Sequence, residues 1–270
     1  MARMFVFGLG YSGTFIARTL AVRGWEVIGT GDMLSFDDEG TVRAALADAG
    51  HVLSAIRPGG EGLDPVLDRY GDALAGRWLG YLSSAGVYGD TGGAWVDESA
   101  PVGGGRRSAR TAADREWLAR GARVFRLPGI YGPGRSMLDR VRQGSAYRLD
   151  LPGQVFSRVH VADVASGVVA ALEAPPGAYN LADDLPCDRN AVTVEACRLL
   201  GVASLPLQAL EAADLSPAAR AFYTESRRLA NGKARRVLGW RPRYPTYREG
   251  LAACLRAEAA GATFHPKEQR

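Results

Sequence analysis

The 270-residue chain has few lysines, cysteines and histidines, and each scarcity argues against a class of site. Lysine occurs only at Lys233 and Lys267, so nearly all of the 33 basic residues are arginine. The three cysteines, Cys187, Cys197 and Cys254, are widely spaced and form no Cys-x-x-Cys. This pattern indicates neither a disulfide framework nor a metal site, and it favours a reducing cytoplasm.

Long apolar runs are also missing. No segment reaches the roughly 18 uninterrupted apolar residues of a membrane span, and the apolar stretch at the N-terminus is broken by glycines and predicts a first strand instead of a signal peptide. The chain is 47% hydrophobic and 23% charged with a net charge of +4, as expected for a globular cytoplasmic protein. Its arginines are interspersed with acids, so we expect neither a nucleic-acid partner nor a membrane partner.

Short apolar segments alternate with segments of helical periodicity in the first half of the chain. This alternation predicts βαβ units and an α/β, doubly wound parallel sheet, the Rossmann fold. We expect a first domain over residues 1–131 and a smaller C-terminal α/β lobe over 132–270, with segments around 155–181 returning to the sheet. Predicted strands are 4–7, 25–30, 51–56, 78–83, 123–127, 147–149, 156–159 and 178–181, and predicted helices are 11–23, 41–49, 64–74, 111–120, 137–142, 161–172, 189–200, 218–229 and 247–259.

A glycine-rich turn separates the first predicted strand from the first predicted helix. The segment Gly8-Leu9-Gly10-Tyr11-Ser12-Gly13 is a Gly-x-Gly-x-x-Gly motif. Its glycines permit a tight turn, a close approach of backbone amides to a pyrophosphate, and close packing of helix on strand. The N-terminus of the helix adds partial positive charge. The motif therefore predicts that residues 1–131 bind a dinucleotide, and a helix-packing turn without ligand is the alternative.

Two side chains after the second and third strands bear on which dinucleotide binds. Asp32 lies 19 residues after Gly13, close to where an acid bonds the ribose hydroxyls of NAD, whereas an arginine there accommodates the NADP phosphate. We therefore favour NAD over NADP, with a plain turn residue after Gly31 as the alternative for Asp32. Arg57 follows the third strand and is expected to cover the adenine or the phosphates, or else to be a solvated loop arginine.

Further segments follow the glycine motif in a fixed order: Leu82-Ser-Ser-Ala-Gly-Val-Tyr-Gly89, Arg126-Leu-Pro-Gly-Ile-Tyr-Gly-Pro-Gly134, Arg158-Val-His-Val-Ala-Asp163, Tyr179-Asn180 and Ala234-Arg-Arg-Val-Leu-Gly-Trp-Arg-Pro242. In this order they resemble the short-chain dehydrogenase/reductase superfamily, in its extended or atypical branch of NAD-dependent epimerase/dehydratase-like proteins. The resemblance runs almost end to end.

The resemblance implies roles for residues at the ends of the fourth and fifth strands. Ser84 is expected to hydrogen-bond the carbonyl or hydroxyl of the substrate, and Ser83 beside it to contact the cofactor. Pro128 and Gly129 are expected to pack beside the nicotinamide. In this family a tyrosine on the next helix is the general acid/base, and a lysine four residues later holds the ribose and lowers the pKa of the tyrosine.

The chain departs from the family at that tyrosine and lysine. Matching the family's helix places Arg106 at the tyrosine position and Arg110 at the lysine position, and no Tyr-x-x-x-Lys occurs anywhere. A guanidinium stays protonated at physiological pH and cannot act as a general base. Ser84, Arg110 and Arg106 therefore remain the catalytic-site candidates, with Arg110 directing charge at the ribose or a bound anion. Tyr88, Tyr131 or a group in the second lobe would have to move the proton.

The motif and the resemblance together predict an NAD(P)-binding oxidoreductase or epimerase/dehydratase-like protein. Its partner would be a small or nucleotide-linked hydroxyl or carbonyl compound bound between the lobes. The missing tyrosine and lysine favour an alternative, a non-catalytic NAD(P)-binding redox sensor or regulatory protein. We expect a monomer or a homodimer.

Overall fold

The computed structural model describes residues 1–59, 64–105, 108–211, 213 and 215–261. Its strands are β1 (Arg3–Phe7), β2 (Glu26–Gly29), β3 (His51–Ser54), β4 (Trp78–Ser84), β5 (Trp95–Val96), β6 (Arg123–Leu127), β7 (Gly129–Tyr131), β8 (Arg148–Leu149), β9 (Arg158–His160), β10 (Gly177–Asn180), β11 (Leu207–Gln208) and β12 (Arg228–Leu229). Six of them form one parallel sheet in the order β10-β6-β4-β3-β1-β2. The predicted α/β fold with a parallel sheet is confirmed.

The helices are α1 (Tyr11–Ala21), α2 (Glu39–Ala47), α3 (Pro65–Tyr70), α4 (Ser108–Ala119), α5 (Met137–Arg142), α6 (Val161–Ala170), α7 (Arg189–Leu200), α8 (Pro217–Phe222), α9 (Gly232–Leu238) and α10 (Tyr247–Ala259). Short 3-10 helices follow α3 and β4. Among the residues that the structure describes, no helix has both the length and the apolar character needed to cross a membrane.

Helices cover both faces of the sheet because successive residues of a strand point to opposite sides. Met4 and Val6 of β1 belong to a buried cluster that also holds side chains of α1, α6 and α9. Phe5 and Phe7 belong to a second cluster with side chains of α2, α3 and α4. The continuous apolar run of β1 is therefore explained by burial on both faces, which is typical of a central parallel strand.

The strand order fixes where a ligand crevice can form. β1 lies between β3 and β2, so the chain winds in one direction from β1 to β2 and in the other from β3 onward. In doubly wound sheets the crevice opens outside the carboxyl ends of the strands at this reversal. The glycine turn after β1 lies at that point.

The chain after β7 packs partly around its own core. Side chains of α5, α7 and α10, among them Leu138, Val192 and Leu251, form a separate buried cluster. β10, however, pairs with β6 in the main sheet. The division into two domains at residue 131 stays a prediction.

One predicted helix is wrong over much of its length. We expected a helix over residues 218–229, but α8 ends at Phe222, and Arg228–Leu229 form β12 beside β5. The backbone carbonyl of Ser226 accepts hydrogen bonds from the amides of Thr91 and Gly93. These tertiary hydrogen bonds hold the segment in an extended conformation and override its helical pattern.

Candidate functional site

The glycine turn has the backbone geometry that its sequence predicted. Gly8 has φ +93°, a conformation that favours glycine. A Cβ added to Gly13 would lie 2.2 Å from the carbonyl oxygen of Gly8, so a side chain there would force α1 away from β1. Thr30 fixes the turn to the end of β2, since its Oγ1 accepts a 2.9 Å hydrogen bond from the amide of Gly8 and its carbonyl accepts one of 2.7 Å from Leu9.

The N-terminus of α1 follows directly and is suited to an anion. Gly10 is the N-cap residue, no side chain caps the helix, and the first turn holds no acid. The first amides of a helix have no acceptor within it, and the helix dipole adds partial positive charge. The amides from Gly10 to Gly13 therefore have the geometry that a backbone phosphate site requires, at the reversal point of the sheet.

The side chain of Tyr11 turns toward the second lobe. Its hydroxyl donates a 3.1 Å hydrogen bond to the carbonyl of Pro133, and the guanidinium of Arg135 lies 5.4 Å from its ring centroid. Burial raises the pKa of Tyr11, so its hydroxyl stays protonated. The Tyr11 ring therefore ties α1 to the loop after β7, and only the backbone amides of Tyr11 and Ser12 remain as candidates for the predicted phosphate contact.

The loops after β2 and β3 border the turn on its two sides. Asp32 is exposed and lies three residues beyond β2, next to Gly31, whose Cβ position would be 3.3 Å from the Cβ of Leu9. Arg57 is exposed and lies three residues beyond β3, and its neighbour Ile56 contacts the Cβ position of Gly8 at 3.1 Å. Asp32 and Arg57, the residues predicted to contact the ribose and the adenine or phosphates, thus lie beside the glycine turn.

The two serines at the end of β4 have different surroundings. Ser83 is buried, and its Oγ donates a 2.6 Å hydrogen bond to Oδ2 of Asp114. Ser84 is half-buried at the strand end, and its Oγ accepts a 3.1 Å hydrogen bond from the amide of Gly86. Of the pair, Ser84 is therefore the one placed at the edge of the sheet where a substrate oxygen would lie.

The candidates from α4 and from the end of β6 complete that edge. Ser84 pairs with Leu127 across the sheet, so Pro128 and Gly129, the next residues, lie beside it. Arg110 donates a 3.2 Å hydrogen bond from Nη1 to the carbonyl of Leu82, which fixes its guanidinium against β4. Arg106 lies outside the described residues.

A buried polar network lies under this edge of the sheet. Sequence reasoning did not identify it. Arg126 binds Asp114 in a bidentate ion pair with Nη2–Oδ1 and Nε–Oδ2 distances of 2.8 and 3.1 Å, and both side chains are at most 4% exposed. Nη1 of Arg126 donates to the hydroxyl of Tyr88, which donates to Oδ1 of Asn180 at 2.8 Å. Tyr88, Arg126 and Asn180 each belong to one of the motif segments seen in the sequence, and the fixed order of those segments was the signal that could have pointed to the network.

Neither tyrosine proposed as a substitute acid/base lies free at the surface. Burial raises the pKa of Tyr88 to about 12, and its hydroxyl is held in the network. Tyr131 is buried, burial raises its pKa, and its hydroxyl has no hydrogen-bond partner among the described residues. Burial also lowers the pKa of His160 to about 4, and its Nδ1 accepts a hydrogen bond from the amide of Ala162, so it is neutral near pH 7.

No group of acids, histidines and cysteines suited to a metal ion occurs in the part of the chain that the structure describes. This edge of the sheet brings together a glycine turn suited to a phosphate, an acid beside the turn and a serine two strands away. These are the parts needed to hold a dinucleotide with a substrate oxygen at its far end.

Comparisons with known proteins give the chain relatives but no family model, because none matches. A conserved protein of unknown function from Silicibacter pomeroyi has a solved structure that is 39% identical, with a TM-score of 0.85 over 95% of this chain and 99% of that one. A 3-diazoavenalumate denitrifying reductase from a Streptomyces species is 32% identical, and the match spans 58% of either chain. The dTDP-glucose 4,6-dehydratase of Bacillus anthracis, solved in complex with NAD, is 16% identical with a TM-score of 0.76 over 96% of this chain and 97% of that one, which shows a shared fold.

Proposed function

The chain belongs to the same family as the conserved Silicibacter pomeroyi protein, and we propose that it binds NAD(P) and acts as an oxidoreductase or an epimerase/dehydratase-like enzyme. Its substrate is a small or nucleotide-linked compound that carries a hydroxyl or carbonyl group. NAD is the favoured cofactor.

The geometry of the glycine turn is the observation that carries this proposal. Gly8 adopts a conformation that favours glycine, Gly13 lies where a Cβ would strike a backbone oxygen, and the first turn of α1 holds no acid. Because the N-cap residue Gly10 has no side chain to accept their hydrogen bonds, the first amides of α1 are available to a phosphate. The relation in fold to an NAD-bound dehydratase supports the same ligand.

The position of Asp32 supports NAD over NADP. Asp32 lies three residues beyond β2, and its neighbour Gly31 adjoins Leu9 of the glycine turn. A carboxylate there can accept hydrogen bonds from both ribose hydroxyls of NAD and would repel the phosphate of NADP. Arg57, three residues beyond β3, would lie over the adenine or the phosphates.

Few residues are candidates for the chemistry at the nicotinamide end of the proposed site. A bound nicotinamide would supply hydride transfer. Ser84 would hold the substrate oxygen, and Pro128 and Gly129 would form a wall beside the nicotinamide. Arg110, fixed on the Leu82 carbonyl, would contribute positive charge but no general base. The proton must therefore move through a group other than the family's tyrosine, and a reductase among the relatives is consistent with hydride chemistry.

Isothermal titration calorimetry with NAD, NADH, NADP and NADPH tests the proposal. We expect binding of the NAD forms in preference to the NADP forms. Absence of binding by all four at millimolar concentration would overturn it.

A second candidate, a non-catalytic NAD(P)-binding redox sensor, is favoured by one observation: both substitute tyrosines are buried with raised pKa values. Assays of hydride transfer with hydroxyl and carbonyl substrates separate the two. Turnover that Ser84→Ala abolishes and that the exposed control Ser99→Ala leaves unchanged would reject the sensor. Cofactor binding without turnover of any substrate would support it.

A further inference from the structure

Three arginines lie close together in the second lobe: Arg135 precedes α5, Arg140 lies on α5 and Arg189 begins α7. In this arginine cluster of Arg135, Arg140 and Arg189, desolvation lowers the pKa of Arg140, and the positive charges of Arg189 and Arg135 lower it further. The cluster adjoins the dinucleotide turn, because Arg135 lies over the ring of Tyr11. Neighbouring like charges are unfavourable unless an anion compensates them.

Arg189 has hydrogen-bond donors that the described residues do not use. Its Nε and Nη2 are buried and have no hydrogen-bond partner there, while its guanidinium lies 4.6 Å from the ring centroid of Tyr147. Stacking on an aromatic ring orients the planar guanidinium and leaves its edge for a ligand. The unused edge is the kind that binds a carboxylate or a phosphate through two parallel hydrogen bonds.

The position of Arg189 at the start of α7 also favours an anion there. It is the first residue of α7, after the N-cap Asp188, whose carboxylate accepts from the amide of Ala191 at 2.8 Å. No acid occupies the first turn of α7. A cation at this end of a helix is opposed by the helix dipole, whereas an anion is attracted by the dipole and the guanidinium together.

The space in front of Arg189 is small. The cleft holds about 10 Å³ of free volume, about the space of one water molecule. Phe156, stacked on Phe222 at 4.8 Å, and Tyr223, whose hydroxyl is 3.1 Å from that of Tyr147, form part of its aromatic wall. Asp188 also lines the cleft, and its carboxylate accepts the hydrogen bond from the amide of Ala191. A cleft of this size excludes a nucleoside, whereas one oxygen of a carboxylate or phosphate group, about the size of a water molecule, fits against Arg189.

We propose that Arg189, assisted by Arg140, binds a carboxylate or phosphate group of the substrate, which is then a small anionic hydroxyl or carbonyl compound with no nucleotide. This inference rests on the proposed function and names the substrate class of that site. The anion anchors one end of the substrate in the second lobe.

The test measures anion binding with the cofactor site already filled. The protein is saturated with NAD and titrated with inorganic phosphate and, separately, with succinate, at ionic strength held constant with chloride. The test variant is Arg189→Met, which keeps an apolar stem against Tyr147. The matched control is Arg198→Met on the same helix, an exposed arginine paired with Glu195.

We expect phosphate or succinate to bind the wild type and Arg198→Met equally, and Arg189→Met at least about tenfold more weakly, because two charge-assisted hydrogen bonds are lost. The tighter of the two probes identifies the anion. Equal binding by Arg189→Met, or no binding by the wild type, would overturn the inference. If Arg189→Met does not fold, Arg140→Met must show the same weakening.

The NAD titration keeps the two proposals apart. If NAD binds and neither anion does, the substrate inference alone fails. If NAD does not bind, the proposed function fails, and anion titration of the cofactor-free protein still decides whether the arginine cluster binds an anion.

Discussion

Replacing Gly13 by alanine should weaken dinucleotide binding about ten- to 150-fold, with a moderate loss of stability. The new Cβ would lie 2.2 Å from the carbonyl oxygen of Gly8, and real Cβ atoms essentially never come closer than 3.0 Å to another heavy atom. The N-terminus of α1 must therefore move away from β1 by about 0.8 Å. That displacement acts on the amides that would hold the diphosphate.

The magnitude follows from what the displacement breaks. Overpacking of this kind costs about 1–3 kcal/mol of stability. Each hydrogen bond from an amide to a charged phosphate oxygen contributes about 1.5–3 kcal/mol, so losing even one weakens NAD binding by about ten- to 150-fold. The loss of binding free energy should therefore be about as large as the loss of stability, and only a variant in the glycine turn should show both losses.

Calorimetric titration with NAD and urea denaturation, run on the same preparations, check this. Gly50→Ala is the neutral control, since its Cβ meets nothing within 4 Å, and Gly167→Ala is the overpacked control, with a Cβ 2.4 Å from Leu181. Wild-type affinity in Gly13→Ala, or a loss no greater than that in Gly167→Ala, would refute the assignment of the turn.

Two further predictions concern stability. Asp114→Ala leaves the buried guanidinium of Arg126 without its ion-pair partner, so urea denaturation should show that the free energy of unfolding falls by about 3–5 kcal/mol. The control is Asp37→Ala, which breaks an exposed ion pair to Arg69. A fall no larger than in this control would contradict the role of the network. Burial raises the pKa of Asp183 to about 7, so the folded state holds its proton more tightly than the unfolded chain does, where the pKa is about 4. The contribution of Asp183 to stability should therefore decrease as the pH rises from about 4 to about 7 and level off above, and an Asp183→Asn variant with an unchanged pH profile between pH 4 and 8 would disprove this.

Much of the nucleotide-binding half could be predicted from sequence because its signals are local. A strand, a glycine turn and an amphipathic helix follow one another within the first 21 residues, and each has a recognisable pattern. The bonds that fix Thr30 to Gly8 and Leu9 were not predictable in this way, since they join separate strands.

The elements that sequence reasoning missed depend on contacts between distant parts of the chain. β12 exists because Ser226 is held by residues 135 and 133 positions earlier, Thr91 and Gly93, and α9 is a short helix that had no predicted counterpart. Likewise, nothing local marks Asp114 as the partner of Arg126. Such pairings are decided by tertiary structure, which overrides the preferences of short segments.

The ion pair between Asp114 and Arg126 also bears on which substitutions α4 can accept. It fastens the middle of α4 to β6 from the inside, in addition to the hydrogen bond from Arg110 to β4. A helix anchored in this way can exchange the side chains near its N-terminus without losing its place on the sheet. We therefore expect substitutions near the start of α4 to change the chemistry of the proposed site more than the architecture around it.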